Sequence, residues 1–207
     1  RKMALKKVQG KKKSKKNACK KSVLMMKTMN LKLVEKIKVP HGVTVEIKGT
    51  DVKVTGGTVT NSRHFRSGDI ELRAGASAIE VYAKSTKRDI LAETKSIASH
   101  INNMVIGTQK TFEARLEIVY SHFPINVAVK GTNVEISNLT GQKSPKKAKI
   151  IGESQIEVKG KEILVKGHNK EAVAQTAANM EQATRARGKD IRIFADGIYI
   201  TQKVKAV

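Results

Sequence analysis

The decapeptide VEIKGTDVKV at residues 45–54 returns at residues 127–136 as VAVKGTNVEI. Each copy alternates apolar and polar residues on both sides of a Gly-Thr pair, which is typical of a β-hairpin with glycine first in a two-residue turn. In the first copy such a turn opposes the apolar residues in pairs, Ile47 with Val52 and Val45 with Val54. The sequence therefore predicts two hairpins, each with its apolar residues on one face.

The elements around each hairpin also recur in the same order. A leading strand precedes the hairpin, at residues 31–39 and 111–120, and further alternating strands and one amphipathic helix follow it. Thr86 can cap the first helix, whose apolar residues recur at helical spacing until Gly107, and Asn169 can cap the second. The repeat predicts an α+β fold, a tandem duplication of a small module of antiparallel strands plus one helix.

These patterns divide the chain into four parts. A basic N-terminal extension at 1–26 precedes a first α+β module at 27–107 and a second at 108–190, and a C-terminal hairpin and tail occupy 191–207. The first 27 residues carry twelve Lys or Arg and no Asp or Glu, so we expect this extension not to fold alone. Asp196-Gly197 fits the tight turn of the C-terminal hairpin better than it fits an acid catalyst.

The charge of the chain points to a polyanionic partner. Forty-one Lys and Arg face 18 Asp and Glu, which gives a formal net charge of +23. Nucleic acid is favoured over a membrane surface, because the chain has no run of about 18 apolar residues that could span a bilayer. Aromatic residues make up 3% of the chain, which argues against stacking on single-stranded bases. Duplex or folded RNA, held by its backbone, fits this composition better.

Three segments of the second half resemble a known family. They are YSHFPINV at residues 120–127, QTAANMEQAT at 175–184 and KDIRIFADGIY at 189–199. Together with the repeat, they resemble the universal large-subunit ribosomal protein numbered six, in its eukaryotic or archaeal branch. The eukaryotic member of that family is traditionally numbered nine. The resemblance spans roughly residues 26–203.

The resemblance implies a structural, non-catalytic constituent of the large ribosomal subunit. It implies contact with ribosomal RNA near the translation-factor site and the sarcin–ricin loop, the stalk base as a neighbour, and a cytoplasmic, ribosomal location with nucleolar transit if the source is eukaryotic. Two features depart from the family. Gly56-Gly57-Thr58 stands where many members have a basic Gly-Pro-Lys-Gly stretch, and the basic extension precedes Met26-Lys27-Thr28, which resembles the usual start of the eukaryotic protein.

Basic residues outside the predicted core are the candidates for RNA contact. In chain order they are Lys11, Lys12, Lys13, Lys15, Lys16, Lys20, Lys21, Arg63, Arg66, Lys143, Lys146, Lys147, Lys149, Arg185, Arg187, Lys189, Arg192 and Lys203. Each group also has a simpler explanation. The N-terminal lysines can serve localisation, the cations near 185–192 suit the negative end of a helix, and those near 63–66 and 143–149 can be solvated loop residues.

The sequence contains no recognisable catalytic or metal-binding motif. The five histidines are scattered without a paired ligand spacing, and the single cysteine, Cys19, excludes an intramolecular disulfide. There is no phosphate-binding glycine loop and no nucleophile elbow. The sequence predicts no enzyme, no cofactor, no metal and no small-molecule substrate. The alternative to a ribosomal role is a free nucleic-acid-binding protein or RNA chaperone.

Overall fold

The computed structural model describes residues 31–207 except 58, 76–77, 187, 189 and 191–192. Their described secondary structure consists of antiparallel strands in small sheets and two helices, so the predicted α+β class is confirmed. The chain divides into two compact units. The described residues of the first fall within 31–38, 47–51 and 64–99, and those of the second within 39–46, 52–63 and 100–207. The module limits at 27–107 and 108–190 stay a prediction.

The first half of the chain contains six strands and one helix among its described residues. They are β1 (Lys32–Lys38), β2 (Val43–Lys48), β3 (Asp51–Gly56), β4 (Val59–His64), β5 (Ile70–Ala74), β6 (Ala78–Ala83) and α1 (Arg88–Gln109). The strands form an antiparallel sheet with the order β1-β6-β5 and a second sheet with the order β2-β3-β4. Ile79 and Val81 of β6 and Ile97 of α1 are buried in the first unit.

The second half repeats this order and adds a strand. Its elements are β7 (Phe112–Val119), β8 (Asn126–Lys130), β9 (Asn133–Ser137), a short 3-10 turn (Leu139–Gly141), β10 (Lys146–Lys149), β11 (Gln155–Lys159), β12 (Glu162–Gly167), α2 (Lys170–Thr184) and β13 (Gly197–Ala206). The sheets have the orders β11-β12-β7-β13 and β10-β9-β8. The order β1-β6-β5 thus returns as β7-β12-β11 and β2-β3-β4 as β8-β9-β10, which confirms the predicted duplication of the module.

The second hairpin has the register that the alternation predicts. Val127 pairs with Ile136 and Val129 with Val134, and Gly131 takes a positive φ of 58° in the turn. Val134 and Ile136 of β9 are fully buried in the core, whereas Val129 of β8, on the same face, is 45% exposed. Gly49 takes the corresponding positive φ of 65° in the turn of the first hairpin.

Helix α2 begins at the predicted cap and buries the predicted stripe. The side-chain oxygen of Asn169 accepts hydrogen bonds from the backbone N–H groups of Glu171 and Ala172, at 3.0 and 3.5 Å. Val173 and Met180 of the helix are fully buried in a core that they share with β7, β9 and β12. This core fixes the position of α2 relative to the strands of the second unit.

The predicted end of α1 at Gly107 is wrong, because the helix continues to Gln109. Gly107 is buried inside the helix, where a Cβ atom would overlap the carbonyl oxygen of His168 and lie 3.0 Å from the Phe112 ring. The glycine therefore permits a close approach of two backbones. Its role is packing within the second unit rather than helix termination.

The C-terminal segment also differs from the sequence-based expectation. Strand β13 pairs antiparallel with β7, with Ile198 opposite Ile118. Of the segment 191–194, which the sequence assigned to the other arm of a hairpin, Ile193 and Phe194 are described, and both lie outside any strand. Their backbone N–H groups donate to the carbonyl oxygen of Asp190, which makes a turn there.

In the part of the chain that the structure describes, no helix is long and apolar enough to cross a membrane.

Candidate RNA-binding surface

The sheet formed by β8, β9 and β10 presents lysines on one face. The register of β10 places Lys147 opposite Glu135 and Lys149 opposite Asn133 of β9, while Ala148 faces the core and is buried. Lys130 of β8 pairs with Asn133 and so lies on the same face. Lys146, Lys147 and Lys149, which the sequence placed in a loop, therefore belong to a strand. Alternation along that strand directs Lys147 and Lys149 to solvent.

One carboxylate neutralises part of this face. The Nζ of Lys130 lies 2.7 Å and the Nζ of Lys147 lies 3.7 Å from the carboxylate of Glu135. The hydrogen bond from Lys130, together with the charges of both lysines, lowers the pKa of Glu135 below its ordinary value. Lys149 has no ion pair with any described residue, so its charge is available to an anion.

A pocket brings together two cation groups that are distant in the sequence. Lys146 of β10 and Arg185, the residue that caps the C-terminus of α2, both line it. The pocket has a volume of about 300 Å³, and Leu139, Thr140, Gln142, Gln182 and the carboxylate-bearing Asp196 contribute to its walls. Neither cation forms an ion pair with a residue that the structure describes. The negative end of the helix dipole also favours a cation at the position of Arg185.

Buried hydrogen bonds fix the wall formed by the end of α2. The hydroxyl group of Thr184, which is almost fully buried, accepts from the backbone N–H of Ile198 at 3.0 Å. The same hydroxyl lies 3.2 Å from the carbonyl oxygen of Met180, to which it can donate. The carboxylate of Asp196 accepts from the backbone N–H of Ser121 at 2.9 Å. These contacts tie α2, β13 and the loop after β7 to one another.

The segment 121–125, part of the sequence that carries the family resemblance, supports the opposite wall. The side-chain amide of Asn138 donates to the carbonyl oxygen of Pro124 at 3.0 Å. A Cβ atom at Gly141 would lie 3.3 Å from the Phe123 ring. His122 packs edge-on against the same ring, with the ring centroids 4.8 Å apart. This segment therefore supports the turn that lines the pocket.

That turn holds two non-glycine residues in the left-handed region. Asn138 has φ 63° and Thr140 has φ 51°, on either side of the buried Leu139. Asparagine tolerates this conformation, but a β-branched residue such as threonine is strained there. Strain of this kind persists where the surrounding contacts hold the backbone, and it often marks functional loops.

In the first half of the chain, one predicted cation, Arg63, and its neighbour His64 lie beside carboxylates. Arg63 and His64 lie in β4 rather than in the predicted loop, and Arg66 follows the strand. The guanidinium group of Arg63 donates to the carboxylate of Glu171 and lies 3.2 Å from the Nδ1 of His100. His64 lies 2.6 Å from the carboxylate of Asp51. An RNA phosphate would have to compete with Glu171 for Arg63, whereas Arg66 is exposed and has no ion pair with a described residue.

His100 lies in this cluster with an altered pKa. Burial and the nearby guanidinium group of Arg63 lower the pKa of His100 below its ordinary value of 6.5. The carboxylate of Glu171 lies 2.6 Å from the His100 Nδ1 and also accepts from the guanidinium group of Arg63.

Lys203 lies on β13, at the edge of a sheet whose outer face has balanced charge. In that sheet Glu113 pairs with Arg115 at 2.9 Å and Glu157 with Lys166 at 3.2 Å. Lys203 itself is exposed and forms no ion pair with a described residue. This sheet face is less attractive to RNA than the face formed by β8, β9 and β10.

Several predicted contacts lie outside the residues that the structure describes. These are Lys11, Lys12, Lys13, Lys15, Lys16, Lys20, Lys21, Arg187, Lys189 and Arg192. Conversely, the structure adds Lys130, Gln142 and Gln182 to the neighbourhood of Lys146, Lys149 and Arg185. The glutamines are uncharged and so are not marked as candidates by the sequence; only the fold brings them to the pocket. Among the described residues, no cluster of three His, Cys, Asp or Glu could hold a metal ion.

The pocket and the strand β10 lie within the residues that match a protein-family model. Residues 123–197 match the family model described as ribosomal protein L6. The chain is 46% identical to the large ribosomal subunit protein uL6 of Methanothrix thermoacetophila, over 83% of this chain and 97% of that protein. It is 41% identical to the uL6 protein of Methanococcus vannielii, over 84% and 95%. With the uL6 protein of Thermoplasma acidophilum the identity is 38%, over 84% and 98%.

Proposed function

This chain belongs to the ribosomal protein L6 family and is a large-subunit ribosomal protein, and from that premise we propose that it binds ribosomal RNA as a structural, non-catalytic constituent. The binding region is the surface around Lys143, Lys146, Lys149 and Arg185, which we call the basic surface. The remaining predicted contacts, including the N-terminal lysines, extend this proposal to other parts of the chain.

The observation that carries the proposal is that unpaired cations from two distant segments, Lys146 of β10 and Arg185 at the end of α2, line one pocket. Some described cations lie beside a carboxylate, as Lys159 and Lys166 do beside Glu157. The four cations of the basic surface form no ion pair with a described residue; Lys146 and Arg185 line one pocket, and Lys149 lies on the outer face of the same strand, β10. Unpaired cations in such a cluster lower the free energy of a bound phosphate backbone by releasing its condensed counterions.

The mechanism we propose is architectural. The core beneath α2 and β9 keeps the basic surface in one shape, so that several phosphates are bound at fixed positions. Arg185 can grip a phosphate with two N–H groups, and the lysines act as point charges. Selectivity then arises mainly from the shape of the folded RNA.

The family resemblance extends the proposal to a location on the ribosome. We place the second module beside the sarcin–ricin loop, near the translation-factor site, with the stalk base as a neighbouring component. The modules at 27–107 and 108–190 would act as two blocks behind the basic extension. The protein would work in cytoplasmic translation, and in a eukaryotic cell it would pass through the nucleolus during assembly.

Sedimentation of the tagged full chain tests this function. Wild-type protein should stay with the large subunit on a sucrose gradient after a wash at about 0.5 M salt, which screens loose phosphate contacts. A variant with Lys143, Lys146, Lys149 and Arg185 all changed to Ala should be released by the same wash. The matched control is Lys159→Ala, which removes a cation that already has a carboxylate partner.

Two results would contradict the proposal. If the fourfold variant and the wild type resist the salt wash equally, the basic surface does not hold the RNA. If the wild type sediments at the top of the gradient at low and high salt, the protein is a free nucleic-acid-binding protein or RNA chaperone instead.

A further inference from the structure

The pocket between β10 and the end of α2 is not lined by cations alone. Gln142 and Gln182, both exposed, line it together with Lys146 and Arg185. A surface that binds phosphate groups alone requires donors, because phosphate oxygens accept hydrogen bonds. Each glutamine amide offers both a donor and an acceptor. Neither side chain has a hydrogen bond to a described residue, so both amides are available to a ligand.

The chemistry of two free amides matches the edge of a nucleobase. Base edges display donors and acceptors side by side, and glutamine or asparagine amides recognise them in pairs. A backbone phosphate leaves the acceptor half of an amide unused. The combination of amides with two cations therefore fits a whole nucleotide, with its base at the amides and its phosphates at Lys146 and Arg185.

The size of the pocket fits one nucleotide. Its volume of about 300 Å³ lies at the lower limit of typical small-molecule sites, which run from roughly 300 to 1,000 Å³. Ala183 and Ala186 line it with small side chains, and Leu139 adds an apolar surface for a base. Larger residues in place of these alanines would fill the space.

Hydrogen bonds hold the backbone of both walls of the pocket. The strained turn at Thr140 is held by the Asn138 to Pro124 hydrogen bond, and the opposite wall is held by the buried hydroxyl group of Thr184. A preformed cavity loses less conformational freedom on binding than a flexible loop does. Strain next to a preformed pocket is the arrangement expected of a binding site.

We propose that this pocket receives one unstacked nucleotide of the bound RNA, an inference that rests on the proposed function. Lys146 and Arg185 hold the flanking phosphates, and Gln142 and Gln182 hydrogen-bond the base edge. A continuous duplex keeps its bases stacked and paired, so it cannot enter. The RNA element at this site therefore contains a bulge or an open loop. The composition of the chain favours duplex or folded RNA held by its backbone, and the pocket adds contact with one unpaired base.

Fluorescence anisotropy with synthetic RNA hairpins tests the proposal on the full chain. One hairpin is fully paired. Its length of about 20 base pairs exceeds the span of about 16 base pairs that a typical duplex-binding module covers. The others carry a single bulged A, C, G or U. Wild-type protein should bind at least one bulged hairpin about fivefold or more tightly than the paired one, the preference expected from one good base-edge contact of about 1–3 kcal/mol.

Two variants separate this inference from the proposed function. Gln142→Ala with Gln182→Ala should abolish the preference for the bulge and leave affinity for the paired hairpin unchanged. Lys146→Ala with Arg185→Ala should weaken binding to every hairpin. Gln155→Ala, an exposed glutamine on β11, is the matched control and should behave as the wild type.

The outcomes fall into distinct classes. Equal wild-type affinity for paired and bulged hairpins, or a preference that survives the double glutamine variant, overturns the nucleotide pocket while the RNA-binding function stands. Unchanged binding of all hairpins by the Lys146 and Arg185 variant counts against RNA contact at this surface, and with it against the pocket. A melting temperature equal to that of the wild type confirms that each variant is folded.

Discussion

Lys146 of β10 and Arg185 at the end of α2 line the same pocket, although a strand hairpin and a helix separate them in the chain. The fold of the second unit brings them together, because α2 packs against β10 and β13. Two basic segments that the sequence presents separately are thus parts of one surface.

The salt dependence of RNA binding should report these two cations directly. Changing both Lys146 and Arg185 to Ala should reduce the slope of log K against log salt concentration by about 2, roughly one for each lost phosphate contact. Binding of a large-subunit RNA transcript between about 50 and 200 mM salt measures the slope. Lys159→Ala is the control, since Lys159 is already paired with Glu157. An unchanged slope in the double variant would show that neither residue contacts phosphate.

Replacing Thr140 with glycine should stabilise the protein by about 1 kcal/mol. A non-glycine residue with positive φ carries strain of about 1–3 kcal/mol, and the greater freedom of glycine in the unfolded chain offsets about 0.5–1 kcal/mol of the relief. Urea unfolding measures the change. Thr140→Ala keeps a Cβ at φ 51° and should give no gain. Equal gains in the two variants would rule out the positive φ as the cause.

Gly107→Ala should destabilise the second unit by about 2–3 kcal/mol, near the upper part of the range for overpacked cores. The added methyl group would overlap a backbone oxygen, which cannot rotate away as a side chain can. Gly68→Ala is the matched control, because a Cβ atom there meets nothing within 4 Å. If both variants unfold at the wild-type urea concentration, the close approach at His168 does not limit the packing.

The stability of the protein should fall as the pH drops below about 6.5, in a way that depends on His100. Its pKa in the folded protein is below the ordinary value of 6.5, so the unfolded chain binds the proton more tightly. The contribution of His100 to the free energy of unfolding is fully present above about pH 6.5. It is lost as the pH falls from there through the pKa of His100 in the folded protein. The lowered pKa values of Glu80, Glu135 and Glu157 affect stability at lower pH, below their ordinary 4.5.

Urea unfolding at a series of pH values measures this loss. His100→Gln should flatten the decline, whereas His41→Gln, at an exposed histidine, should leave it as in the wild type. A decline of the same size in the His100 variant would assign the effect to another group.

The sequence predicts local features of this fold better than distant contacts. The register of the β8–β9 hairpin follows from alternation beside Gly131, and the cap at Asn169 follows from its position before an apolar stripe. Gly107 was misread as a helix end because its neighbour, His168, is far away in the chain. Lys146 and Lys149 were assigned to a loop because Ser144 and Pro145 precede them, although pairing with β9 extends the strand there.

The candidate site was likewise predictable from the sequence only in part. Its cations could be listed from the sequence, because charge is visible without a fold. Which of them are neutralised could not be predicted, since the partners of Arg63 and Lys147 come from other strands and helices. Gln142 and Gln182 carry no charge and become candidates only when the turn at Thr140 and the end of α2 are placed side by side.

The pairing of β13 with β7 has a consequence for biosynthesis. β7 lies inside its sheet, between β12 and β13, and Ile198 of β13 belongs to the buried core. During translation β13 leaves the exit tunnel after every other described strand, so the edge of β7 stays open until then. An open edge can pair with a foreign strand. The nascent second unit should therefore be most prone to aggregation in the interval before β13 emerges, which is when a chaperone would be of most use to it.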